Sequence, residues 1–244
     1  IRFLVKLVTG RWMAVSVSFY ILLFLGATYI FGIYSGSIKT SLHYNQETID
    51  TLSLFKDLGG NVGIVAGLLS EVLPPWLVLS LGSILNLFGY LMIWLSITQR
   101  VPRPPVGAMY LYIYSGSNSQ TFVHTTVLVS CVKNFPRSRG MVLGLTKGCI
   151  GLSGAVFTQF HHALYGGAHG NDTRSPVLLI AWLPSLIIVI FMWFIRPMEP
   201  SSSREEGPDG SSSLIKEEKQ FFSYLYLALL LAGFLMLAII LENV

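Results

Sequence analysis

The residues of this 244-residue chain whose types could do chemistry cluster between positions 115 and 160. Two long apolar runs lie there, joined by a short basic hinge at 133–140, KNFPRSRG. The apolar runs carry the polar or charged residues Asn118, Gln120, Thr121, His124, Thr125 and Lys147. Such groups are costly inside a bilayer, so they usually face a cavity or another helix. The pattern predicts a polar path through a membrane protein.

Composition indicates the same class of protein. The chain is 52% hydrophobic and 11% charged, and its mean hydropathy is +0.62, whereas soluble domains carry about 25% charged residues. The net charge of +4 is spread over the segments between apolar runs, which argues against binding to nucleic acid. The two cysteines lie inside apolar runs and form neither a disulfide framework nor a metal-ligand spacing. We therefore expect no metal and no cofactor.

Seven apolar runs are long enough to cross about 30 Å of hydrocarbon as helices. They lie near Trp12–Tyr34, Leu52–Ser70, Trp76–Ile97, Val106–Val132, Met141–Tyr165, Pro176–Ile195 and Phe221–Leu241. The predicted fold is an all-α, multi-pass membrane protein in direct contact with the lipid bilayer.

Lysine and arginine in the connecting segments set the predicted orientation. With the N-terminus in the cytoplasm, ten of the sixteen basic residues lie on the inner side, four on the outer side, and Lys56 and Lys147 within spans. Cytoplasmic loops carry such an excess. This topology places the sequon at Asn171 in an outer loop, as a glycosylation candidate. The plasma membrane and the vacuolar membrane both remain open as locations.

Lys56, Asp57 and Lys147 are ionisable residues within predicted spans. One interpretation is that they face a solute path, since charge at the bilayer centre costs about 2.5–3.5 kcal/mol. The other is that their side chains simply reach water at the helix ends. As path residues, two cations and one anion mildly favour an anionic solute.

A polar stripe in the fourth run has two interpretations as well. Ser117, Thr121 and His124 follow one another at helical spacing, with Asn118 beside them. They line a path, or they make hydrogen bonds between helices, as such residues commonly do in membrane bundles. His161 and its histidine neighbour lack a nearby carboxylate or thiol ligand in the sequence, so they are poor evidence for a metal site.

Lys56 and Lys147 each begin the pattern Lys-x3-Gly-x2-Gly. An inverted repeat of three plus three helices would relate the second and fifth runs; the alternative is coincidence between two glycine-rich helices. The sequence contains no catalytic triad pattern, phosphate-binding loop or zinc spacing. We therefore do not expect an enzyme.

The hydrophilic stretch 198–219 is rich in Ser, Glu, Gly and Pro, which predicts a disordered cytoplasmic linker. It separates a six-helix bundle at 1–197 from a seventh transmembrane helix at 220–244. The chain begins without methionine and stops soon after an apolar run, so we expect a fragment or a truncated product that lacks a second bundle.

Three sequence blocks resemble a known family. They are RWMAVSVSFYILLFLGATYIFGIYSGSIK, FKDLGGNVGIVAGLLSEVLPPW and NSQTFVHTTVLVSCVKNFPRSRGMVLGLTKGCIGLSGAVFTQF. Together they resemble the plant nodulin-like branch of the major facilitator superfamily. The resemblance implies an N-terminal six-helix bundle of a secondary transporter that moves a small organic or ionic solute by alternating access.

The resemblance also implies roles for particular residues. The path candidates from helices one, two, four and five are Tyr29, Lys56, Asp57, Asn118, Thr121, His124 and Lys147. The candidates for the cytoplasmic hinge and gate are Glu71, Lys133, Arg137 and Arg139. An alternative function is that of a non-transporting membrane interaction or regulatory protein, which would pair with a full-length relative.

Overall fold

The computed structural model describes residues 10–165, 175–195 and 208–242. These residues form helices and their connections and contain no strand, which confirms the predicted all-α membrane protein. The sequon at Asn171 lies outside the described residues.

The helices, in chain order, are α1 Arg11–Leu23, α2 Phe31–Leu42, α3 Gln46–Asn61, α4 Ile64–Val72, α5 Pro75–Ile97, α6 Val106–Asn134, α7 Arg139–Tyr165, α8 Ser175–Phe191 and α9 Pro208–Glu242. Short 3₁₀ turns lie at Gly26–Thr28 and Met192–Phe194. The first two predicted spans are thus each divided into two helices, which the apolar pattern alone did not indicate.

Five stretches of the described chain are helical, long and apolar enough to cross a membrane. They are Arg11–Leu42, Gln46–Val72, Pro75–Ile97, Arg139–His161 and Ser175–Phe194. Helix α6 has 29 residues, or about 43 Å at about 1.5 Å per residue, so it is also long enough. Its polar residues lower its mean hydropathy, and the count of six helices in the bundle stays a prediction.

Helix α6 packs against α3 and α5, α5 packs against α8, and α7 packs against α1. Small residues allow the close crossings. A Cβ atom added at Gly26 would lie 2.6 Å from the backbone of Ser153, and one added at Gly89 would lie 2.5 Å from that of Gly116.

Pro184 lies inside α8, and because proline has no N–H, the carbonyl of Ile180 lacks its helical donor. Asn86 of α5 supplies the missing bond: its Nδ2 donates to Ile180 O at 2.9 Å and to Ala181 O at 3.1 Å. The buried amide of Asn86 therefore ties α5 to the proline site of α8.

Replacing Asn86 with leucine should lower the free energy of unfolding by about 1–3 kcal/mol, because the buried carbonyl of Ile180 would be left without a donor. Thermal unfolding of the purified chain in detergent measures the loss. Asn61→Leu is the matched control, since Asn61 is exposed and its Nδ2 donates to Asp57 O of its own turn. Equal unfolding temperatures for Asn86→Leu and the unmodified chain would contradict the assignment.

The predicted topology can be tested at two exposed glycines that begin neighbouring helices. A cysteine at Gly140, near the start of α7, should react with an impermeant thiol reagent only after the cells are permeabilised. One at Gly107, near the start of α6, should react in intact cells. Neither added Cβ meets an atom within 4 Å, and both native cysteines are buried. The reverse labelling pattern would invert the orientation.

Helix α9 begins at Pro208 and not near Phe221, so it extends into the stretch that the sequence predicted as a disordered linker. Proline suits the first position of a helix because its missing N–H would have no helical partner there. Residues 198–207 of that stretch lie outside the described part of the chain.

Candidate functional site: a polar cleft beside a broken helix

A cleft of about 360 Å³ opens beside the α1–α2 connection, α3, α6 and α7. Its volume lies within the range of about 300–1,000 Å³ that is usual for small-ligand sites. It is lined by Leu25, Thr28, Tyr29, Lys56, Asp57, Gly60, Asn61, Gln120, Thr121, His124, Lys147 and Ile150. Nine of these twelve residues have polar or charged side chains, although most of the surrounding sequence is apolar.

The structure brings six of the seven predicted path residues to this cleft. They are Tyr29, Lys56, Asp57, Thr121, His124 and Lys147. The seventh, Asn118, does not line it. The role of these residues in transport stays a prediction.

The second span is interrupted beside the cleft. Helix α3 ends at Asn61, and α4 begins at Ile64. Between them Val62 has a non-helical ψ of 86°. The interruption leaves carbonyl groups of the last turn of α3 without their helical donors, and these groups need partners inside an apolar bundle.

Two side chains of α6 provide those partners. Asn118 Nδ2 donates to Gly59 O at 3.0 Å and to Val62 O at 3.1 Å. Thr121 Oγ1 donates to Gly60 O at 2.8 Å. Hydrogen bonding between helices, one of the two interpretations of the polar stripe, is therefore what Asn118 and Thr121 do in this structure.

Lys56 and Asp57 form an ion pair at the rim of the cleft, with 2.9 Å between Nζ and Oδ1. The Lys56 side chain is 12% exposed and its ammonium lies 5.1 Å from the ring centroid of Phe31, whereas the Asp57 side chain is 58% exposed. Lys56 is thus held against an aromatic face and a carboxylate. Its charge is compensated within the cleft.

Lys147 and His124 differ from that pair. Lys147 is exposed in the cleft and forms no ion pair among the described residues. His124 Nε2 is buried and has no hydrogen-bond partner in the described part of the chain. Buried polar atoms normally have a partner, so the cleft combines an uncompensated cation with an unsatisfied ring nitrogen.

Thr28, Gln120 and Asn61 line the cleft but were not among the predicted path residues. The hydroxyl of Thr28 donates to the side-chain oxygen of Gln120, which joins the first span to the fourth. Gln120 lay within the polar stretch of the sequence, whereas Thr28 lay in an apolar run and was not singled out.

The last glycine of each Lys-x3-Gly-x2-Gly pattern lies close to a residue of another span. A Cβ added at Gly63 would lie 3.1 Å from Thr121 Cγ2 on the fourth span, and one added at Gly154 would lie 3.0 Å from Tyr29 Cβ on the first. An inverted repeat exchanges spans two and five, and spans one and four, so these contacts agree with it. The repeat itself stays a prediction.

A second cleft, of about 560 Å³, lies at the other end of the broken span, where α4, α6 and the 3₁₀ turn after α8 end. Lys133 Nζ lies 3.1 Å from Glu71 Oε2 there. Both side chains are exposed, and such pairs contribute about 0–1 kcal/mol. Arg137 and Arg139 are also exposed and form no ion pair among the described residues, so only one of the three predicted hinge cations reaches Glu71.

Comparison with known protein families identifies one that matches nearly the whole chain. The Nodulin-like profile matches residues 11–244. The chain belongs to the Nodulin-like family. This confirms the resemblance drawn from its sequence blocks.

Two curated proteins are similar to this Nodulin-like chain. Protein NUCLEAR FUSION DEFECTIVE 4 of Arabidopsis thaliana is 25% identical over 203 residues, which cover 83% of this chain and 33% of that protein. Probable transporter MCH1 of Wickerhamomyces anomalus is 24% identical over 147 residues, which cover 59% of this chain and 29% of that protein. The chain thus spans about a third of the length of these relatives. No solved structure matches it significantly.

Proposed function

We propose that this Nodulin-like chain forms the first bundle of a secondary transporter, and that the cleft is its half of the solute path. The observation that carries the proposal is the convergence of six predicted path residues on one cleft. The relative named as a probable transporter supports the same activity. The solute crosses the membrane without chemical change.

The charges of the cleft favour a small anion as the solute. Lys56 is compensated by Asp57, and Lys147 adds a positive charge without a counterion among the described residues. The ammonium group of Lys147 donates hydrogen bonds to an anion, and His124 lines the cleft beside it.

Alternating access in this proposal uses the open side of the cleft. A second bundle, in the part of a longer protein that would follow this chain, covers that side and completes the path. The glycine contacts of α3 and α7 let the spans approach closely and shift against one another.

The test is uptake by a protein that carries both bundles, reconstituted into proteoliposomes. The probes are radiolabelled acetate, malate, phosphate and nitrate, with choline and glucose as a cation and a neutral control. We expect saturable uptake of at least one anion and none of the controls. Uptake of choline or glucose alone would contradict an anionic solute, and no uptake above that of empty vesicles for any of the six compounds would count against transport of this solute class.

A further inference from the structure

Glu218 is a buried carboxylate on α9, outside the cleft, with a side chain 5% exposed. Burying an ionised carboxylate is costly unless partners satisfy its oxygens. Both oxygens are satisfied here. Arg11 Nη1 donates to Oε1 at 2.9 Å, and Ser138 Oγ donates to Oε2 at 2.7 Å.

The two donors are held by the six-helix bundle and not by α9. Arg11 is the first residue of α1, and its guanidinium lies 5.2 Å from the ring centroids of Trp12 and Phe135. Ser138 directly precedes α7, and its carbonyl accepts from Val142 N at 3.1 Å. The carboxylate therefore lies at the N-terminal end of α7, where the helix dipole favours negative charge.

An apolar stripe continues from Glu218 along α9. Phe222, Tyr226 and Leu229 follow it at intervals of four, four and three residues, which places them on one helix face. Phe222 is fully buried, and Leu229 packs against Gly148 of α7. The opposite face of α9 is exposed and apolar, so the buried stripe defines how the helix lies on the bundle.

We propose that Arg11, Ser138 and the start of α7 form a carboxylate socket, and that Glu218 docks the seventh helix onto the bundle through it. The apolar stripe gives contact area, and the socket sets the register of α9 along α7, since one buried ion pair fits at one position only. The socket lies at the end of the bundle that is predicted to be cytoplasmic. If the proposed function holds, it is a contact between the two bundles.

The experiment is a distance measurement by electron paramagnetic resonance on the 244-residue chain in nanodiscs. Spin labels are attached to cysteines at Leu77 of α5 and Ser223 of α9, both exposed, in a background in which Cys131 and Cys149 are alanine. We expect one narrow distance. Arg11→Glu places two carboxylates together and should broaden or shift the distribution, and so should Glu218→Arg.

The double variant Arg11→Glu with Glu218→Arg restores opposite charges but places a cation at the N-terminal end of α7, so it should recover only part of the native population. Lys133→Glu is the matched control, since it breaks an exposed ion pair at the same end of the bundle and should leave the distance unchanged. Native distances in both single variants would overturn the socket. Full recovery of the native distance in the double variant would also overturn it, since Ser138 and the start of α7 would then have no part in the contact.

If Arg11→Glu does not yield a monodisperse protein, Glu218→Gln replaces it, because glutamine keeps the shape of the side chain and removes its charge. Broadening then supports the socket, and an unchanged narrow distance overturns it. The measurement needs no solute, so its outcome is independent of whether the chain takes part in transport.

Discussion

Replacing Lys147 with alanine is expected to reduce solute uptake by at least about tenfold in a protein that carries both bundles, with the protein level unchanged. Lys147 is the cleft cation without an ion pair among the described residues, so its loss removes the positive charge that attracts an anion. A hydrogen bond to a charged group contributes about 1.5–3 kcal/mol, and about 1.4 kcal/mol corresponds to a factor of ten in affinity. Initial uptake rates in proteoliposomes, at several solute concentrations, measure the effect.

Two matched variants separate the effect of the positive charge on uptake from any effect of the substitution on folding. Lys147→Arg keeps the positive charge and should retain part of the uptake. Lys39→Ala removes an exposed lysine outside the cleft, whose Nζ donates to Gln46 Oε1 at 2.7 Å, and should leave uptake unchanged. Normal uptake by Lys147→Ala at equal protein level would end the proposed role of this residue.

The membrane fold could be predicted because hydrocarbon imposes strict rules on sequence. A span needs about 20 apolar residues, and charge inside it is costly. These two rules identified the apolar runs and singled out Lys56, Asp57 and Lys147, which the structure places in one cleft. The physical cost of a misplaced charge is what makes such residues visible in a sequence.

The interruptions of the first two spans could not be predicted in this way. Hydropathy measures how apolar a segment is, and it does not show which carbonyl groups lose their helical donors. The break at Val62 depends on Asn118 and Thr121 of α6, which satisfy the freed carbonyls. The sequence showed the glycines of α3 and the polar stripe of α6 separately, but it did not show that they pair.

The contact of α9 with the bundle could not be predicted from the sequence, for a related reason. Glu218 lies in a stretch of serine, glutamate and lysine that is typical of a solvated linker. Its partner Arg11 is 207 residues away in the chain. Local composition therefore predicted disorder, whereas a distant cation and a helix N-terminus make the buried position favourable.

Replacing Gly59 with alanine tests how the interrupted second span supports the cleft. A Cβ added at Gly59 would lie 2.5 Å from Tyr114 O and 3.2 Å from Asn118 N, both on the backbone of α6. Gly59→Ala should therefore push α3 away from α6 and lower the free energy of unfolding by about 1–3 kcal/mol. Alanine's better helix propensity, about 1 kcal/mol, offsets part of this loss at most. Thermal unfolding of the purified chain measures the net loss of stability.

Gly67→Ala on the same span is the control, because an added Cβ there meets no atom within 4 Å. That variant keeps the gain in helix propensity without the clash, so its unfolding temperature should stay the same or rise. Uptake should fall in Gly59→Ala as well, since the bond from Asn118 to Gly59 O lengthens when α3 moves, and α3 carries Lys56 and Asp57. If both variants unfold at the same temperature, the close crossing of α3 and α6 is not what holds the cleft in place.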